Sequence, residues 1–186
     1  MIAGDTSCFA IESAITRAFA NLGLRGLGFF VIHVLGRCYG IKSADATMLA
    51  NSLGEVEGRI LARGKHTAPF DRADATEIAD AFTNAIYLDD DDTKTYFGMT
   101  EPQFTEIVNS NWLMWAPDGD EAFDDGSYVL QFDVGDQVRL IAFNRPDAFV
   151  DPSSVRDVWL SAGVFYGLLQ QWREEFLAEW GTMRKE

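Results

Sequence analysis

The segment "SYVLQFDVGDQVRLIAFN" (127–144) does most to restrict what this chain can become. Two apolar runs, Val129 to Val134 and Val138 to Phe143, flank Gly135 and Asp136. A Gly-Asp pair between β-branched and aromatic residues is hairpin-turn chemistry, so an antiparallel strand pair is expected here. The chain opens in the same idiom. Phe9 to Phe19 and Leu27 to Leu35 read as strands joined around "NLGLRG", and "GRCYGIK" reads as a short third strand after a tight turn at Gly36. The predicted opening is an antiparallel meander. Just upstream of the late hairpin, "NWLMWAPDGDEAFDDG" reads as a strand followed by a loop.

Three stretches carry helical spacing. Leu49, Leu53, Val56 and Ile60 predict a helix from Asp45 to Arg63, with Glu55, Glu57 and Arg59 mostly on other faces and Gly64 as its stop. Asp74 and Glu77 resemble a capping box, and Ile78, Phe82 and Ile86 follow at intervals of four. That helix runs into Asp89, Asp90, Asp91 and Asp92. Carboxylates there oppose the negative end of the helix dipole, so the run is expected to end the helix and project into water. Ser154 and Asp157 predict the cap of a final helix, and Val158, Trp159, Ala162, Phe165, Tyr166, Leu169, Trp172, Phe176 and Trp180 continue it. A helix from Val155 to Trp180 would be about 39 Å long. The expected fold is α+β: an antiparallel β-sheet covered by α-helices, with a long C-terminal helix, as one domain over 1–186.

Charge is distributed unevenly. Of the net charge of -14, the segment 87–136 carries thirteen carboxylates against the single Lys94. This composition disfavours a nucleic-acid or anionic-membrane binder, which needs clustered Lys and Arg. A regional excess of this kind points to a surface that faces a partner. "MIAGDTSCFAIE" has neither a basic n-region nor an apolar h-region, so no signal peptide is expected. The longest apolar run, "LGFFVIHVLG", is too short to span a bilayer. A soluble cytosolic chain with Cys8 and Cys38 reduced is the expectation.

Catalytic and metal patterns are weak. His33 sits in an apolar strand and reads as a satisfied core histidine, whereas His66 lies in a polar loop without a second His at metal spacing. Cys8 or Cys38 with His33 gives no nucleophile–base spacing. "DGDEAFDDG" (118–126) has calcium-loop composition, but Phe123 occupies the place of the loop glycine and the closing Glu is missing. No metal or other cofactor is expected. A carboxylate-based metal-dependent hydrolase is the alternative reading, since an acidic chain offers many carboxylate pairs.

The aromatics within the acidic segment are Tyr87, Tyr96, Phe97, Phe104, Trp112, Trp115, Phe123, Tyr128 and Phe132. Carboxylates that steer an encounter, with a few aromatics that anchor it, form the composition of a patch that captures a basic protein. The candidate contacts are Asp89, Asp90, Asp91, Asp92, Asp118, Asp120, Glu121, Asp124 and Asp125, with Trp112 or Trp115 as anchors.

The opening "GDTSCFAIE" (4–12) resembles the start of the immunity protein 42 family of bacterial polymorphic toxin systems, whose members look like G-D-x-x-x-F-A-I-E followed by a strand and a glycine-flanked hairpin. "GLGFFVIHVLGRCYG", the late hairpin and the aromatic C-terminal helix are similar in character, so the likeness covers about the first and last 60 residues. The resemblance implies a non-catalytic cytosolic antidote that binds a cognate toxin. The charge map adds that the toxin presents a basic surface. Oligomeric state is not legible.

Overall fold

The computed structural model describes residues 1–88, 94–115 and 121–186. The opening meander forms as expected. Strands β1 (Ile2–Asp5), β2 (Phe9–Ala18), β3 (Gly26–Val34) and β4 (Arg37–Tyr39) lie in that order, and the short β5 (Thr47–Met48) also pairs with β3. Alternation sets the faces: Phe9, Ile11 and Ile15 of β2 point into the core, while Glu12 and Ala14 point outward.

Thr47 and Met48 pair with Gly28 and Leu27, which delays the first helix, α1, to Leu49–Leu61. Leu49, Leu53 and Val56 bury its predicted face. The next helix, α2 (Ala75–Thr83), has the expected cap: Asp74 accepts from the backbone N–H groups of Thr76 (2.9 Å) and Glu77 (3.1 Å). It widens into a π-helical turn over Asn84–Leu88. The aspartate run that follows lies outside the described residues.

A two-strand hairpin, β6 (Thr95–Tyr96) and β7 (Met99–Thr100), leads into α3 (Glu101–Ser110). Sequence reading passed over this helix because Pro and Gly punctuate its approach. Its signal was nevertheless present. Gln103 Oε1 accepts from the Thr100 backbone N–H at 3.0 Å, Pro102 sits in the first turn, and Phe104 and Val108 bury the i, i+4 face.

The late hairpin is the middle layer of the molecule. Strands β8 (Met114–Trp115), β9 (Ser127–Val134), β10 (Gln137–Asn144) and β11 (Arg156–Ser161) form a sheet in the order β11-β10-β9-β8. Gly135 takes φ +65° as the first residue of the β9–β10 turn, the position that favours glycine in a II′ turn. Both faces of this sheet are buried, which explains the unbroken apolar runs. Val129, Val138, Leu140 and Ala142 face a core shared with the first sheet and α1. Leu130, Phe132, Ile141 and Phe143 face a second core with α2 and α3.

The end of the chain departs from expectation. Residues 156–161, predicted as the first turns of a helix from Val155 to Trp180, are strand β11, and the helix α4 runs over Ala162–Thr182. "RDVWLS" fits alternation as well as helical spacing, and pairing with β10 decides between them. Arg139 fixes the register with two bonds to Asp157, at 2.9 and 2.8 Å. The cap is therefore Ser161, whose Oγ accepts from the Val164 N–H at 3.3 Å, and not Ser154, which is buried in a 3₁₀ turn. At 21 residues, α4 is about 31 Å long. Its Phe165, Tyr166, Leu169, Trp172 and Phe176 fill the first core.

Candidate functional site

The proposed contact residues fall into three groups. Asp89, Asp90, Asp91, Asp92, Asp118 and Asp120 lie outside the described residues. Glu121, Asp124 and Asp125 are exposed around a 3₁₀ turn at Glu121–Phe123, which Ala122 and Phe123 hold by burying into the core. The two tryptophans separate. Trp115 is 1% exposed, stacked against Phe30 in the first core, and is not available as a surface anchor. Trp112 is half-buried at a positive φ of 49°, its ring laid over Gly58. The exposed aromatic of the segment is Phe97, at the tip of the β6–β7 hairpin and stacked on Phe70 and Phe104.

Residues that border both aspartate-bearing segments meet at one end of the middle sheet. Tyr87, just before the first segment, packs against Tyr128 with ring centres 5.6 Å apart. Trp115, just before the second, pairs with Val129. Asp125, just after it, accepts from the Ser127 N–H at 3.0 Å. All three therefore converge on the start of β9. Arg145 stacks over Tyr87 at 4.2 Å, and Arg37 donates to Asn144, the register partner of Ser127, at 2.9 Å. The acidic turn also adjoins the outward face of the first sheet. Burial pushes the exposed-edge Cys38 thiol up, Lys42 opposes this, and Glu12 and Asp125 push it further up. Cys38 thus stays a protonated thiol. Its register partner His33 is held by Glu12 at 2.9 Å, and Glu12 also pairs with Lys42 at 2.7 Å. His33 is accordingly a half-buried residue hydrogen-bonded to Glu12 on the outer face, not a core histidine. Both cysteines are free. Among the described residues, no group of three His, Cys, Asp or Glu side chains is placed to hold a metal ion.

Two other acidic residues of the segment do not belong to that corner. Asp136 lies at the far end of β9, roughly 24 Å of strand away. Asp133 is 8% exposed and is part of an internal polar chain that sequence reading missed. Its carboxylate accepts from Tyr166 Oη at 2.8 and 2.9 Å and from the Gly64 N–H at 2.6 Å. Gln131 bridges Tyr166 and Arg59. Burial and the Asp133 bond push the Tyr166 hydroxyl pKa well up, so it stays a donor.

Arg59 is the head of that chain. It is fully buried, although the sequence reading set it mostly off the helix's apolar face. Its guanidinium donates to Glu55 (2.7 Å), Gln131 (3.0 Å), and the carbonyls of Trp112 (3.3 Å) and Met114 (2.6 Å). His66, in the polar loop read from the sequence, is likewise fully buried, with Nδ1 facing the carbonyls of Asn111 (3.1 Å) and Trp112 (3.0 Å). Burial, and then the Arg59 charge, hold its pKa below the usual histidine value. Periodicity gave no signal for either burial, because neither residue lies on an apolar repeat that names its polar partners.

The family model for immunity protein 42 matches residues 1–175. The chain belongs to the immunity protein 42 family. The match runs through the acidic segment, which the sequence resemblance left out. Among solved structures, the fold is similar to the crystal structure of CdiI from Burkholderia dolosa AUO158, with a TM-score of 0.60 and 14% identity. The similarity covers 94% of this chain and 99% of that one, and at this identity it is a likeness of fold. No curated protein matches the chain. Among the described residues, no helix is long and apolar enough to cross a membrane.

Proposed function

We propose that this chain is a non-catalytic immunity protein that neutralises one cognate toxin in the cytoplasm by tight binding. Family membership supports the class of activity. The acidic corner supports the mode. Two aspartate-bearing segments start from the same end of β9, next to the exposed Glu121, Asp124 and Asp125. In this account the carboxylates of Asp89, Asp90, Asp91, Asp92, Asp118, Asp120, Glu121, Asp124 and Asp125 supply a negative field that steers a toxin with a basic surface and accelerates its capture. Trp112 is the tryptophan of the pair with surface left to bury against that partner. The chain 1–186 acts as one domain in this account.

The test is co-purification with the product of the neighbouring reading frame. A stable complex, together with rescue of growth in cells expressing that product, is the expected result. Absence of a complex at micromolar concentrations contradicts the reading.

A further inference from the structure

A groove of about 480 Å³ runs between α1 and α4, lined by Glu57, Ile60, Leu61, Gln170, Arg173 and Glu174. Leu61 closes α1 and is 84% exposed, more than any other large apolar residue described. A lone exposed leucine is ordinary on a protein surface. This one lies beside Ile60 in a concavity whose walls are two helices, so the groove offers a preformed apolar floor. The charges on its walls are unequal. Arg173 Nε donates to Glu57 at 2.7 Å, so that cation is already met. Glu174 is exposed and has no ion-pair partner among the described residues.

We propose that this groove is a second docking site, for a basic amphipathic segment of the partner protein. An apolar side chain of that segment rests on Ile60 and Leu61, and a lysine or arginine near it in the segment reaches Glu174. The inference rests on the toxin-binding reading and adds a contact outside the acidic corner. A second copy of this chain is the other occupant that an apolar groove invites. Two-fold pairing would set the same patch against itself and bring Glu57 and Glu174 of both copies into one interface with only the two Arg173 side chains to offset them, a net like-charge contact. A basic partner meets Glu174 favourably.

The experiment compares wild type with Leu61→Gln and Glu174→Lys for binding to the purified product of the neighbouring reading frame, by calorimetry. Both positions are exposed, and thermal melts check that each variant folds as wild type does. Each change is expected to raise Kd about tenfold or more, as loss of a central contact does. Wild-type binding with both variants unaffected overturns the groove and leaves the toxin reading intact. No binding by wild type overturns both. A wild-type dimer in light scattering that Leu61→Gln dissolves assigns the groove to a second copy and also overturns the proposal.

Discussion

The guanidinium of Arg59 lies 4.4 Å from the centre of the Trp115 ring, deep in the molecule. The charge is stacked against Trp115, paired with Glu55 and bonded to two carbonyls and Gln131, so it ties α1 to the middle sheet. Removing one partner of a buried pair leaves the rest unsatisfied, at a typical loss of about 3–5 kcal/mol. Arg59→Met is therefore expected to lower stability by that amount, read as a shift of the urea midpoint. A loss under about 1 kcal/mol, the range of an exposed pair, would show that Arg59 reaches water.

Two glycines of α1, four residues apart, give opposite predictions. A Cβ on Gly58 would lie 2.1 Å from Cη2 of Trp112, whereas a Cβ on Gly54 meets nothing within 4 Å. Gly54→Ala is expected to stabilise by about 0.8–1 kcal/mol, the helix propensity difference. Gly58→Ala is expected to destabilise by about 1–3 kcal/mol, because Trp112 must leave its seat. Equal effects at both sites in thermal melts would mean that Trp112 does not pack on α1.

His66 makes stability pH-dependent with a definite sign. Its folded pKa is depressed by burial and by Arg59, so the unfolded chain binds the proton more tightly. The stability this gives is complete above the unfolded value of 6.5 and is lost as pH falls below it. Melting curves between pH 5 and pH 8 are expected to fall on the acid side, and a folded His66→Gln variant is expected to flatten that fall. An unchanged slope in the variant would assign the acid sensitivity to other groups.

Cys38 offers a direct view of the acidic corner, since it is exposed and shares its electrostatic surroundings with Asp125 and Glu12. If the toxin docks there, alkylation of Cys38 by a neutral maleimide slows several-fold in the complex, as measured by mass spectrometry. Unchanged labelling in a complex known to be intact would place the interface elsewhere.

How much of this was legible in the sequence depends on whether local pattern and long-range pairing agree. The 127–144 hairpin was legible because turn chemistry and apolar runs point the same way, and Asp74 was legible because a cap is a local device. Residues 156–161 were not, since their pattern fits helix and strand alike and the strand β10 decides from outside the segment. The same limit applies to the candidate site. Composition put Trp115 among the surface anchors and counted Asp133 within the acidic segment by position along the chain, but tertiary partners bury both. Arg59 and His66 were hidden for the converse reason. Charge in a sequence reads as solvent exposure until the buried acceptors that satisfy it are known. Glu121, Asp124 and Asp125 are exposed, as their charge suggests, around a turn that is held by the burial of Ala122 and Phe123.

The central claim is that the acidic corner captures a basic toxin. Stopped-flow association of the neighbouring reading-frame product tests it most directly. The rate is measured over a salt series for wild type and for a variant with Asp89, Asp90, Asp91, Asp92, Asp124 and Asp125 changed to Asn. Wild-type association is expected to be fast and to fall steeply with salt, and the variant to be slower with a shallow salt dependence, while dissociation changes little. Identical association rates and identical salt slopes for the two proteins would contradict the claim.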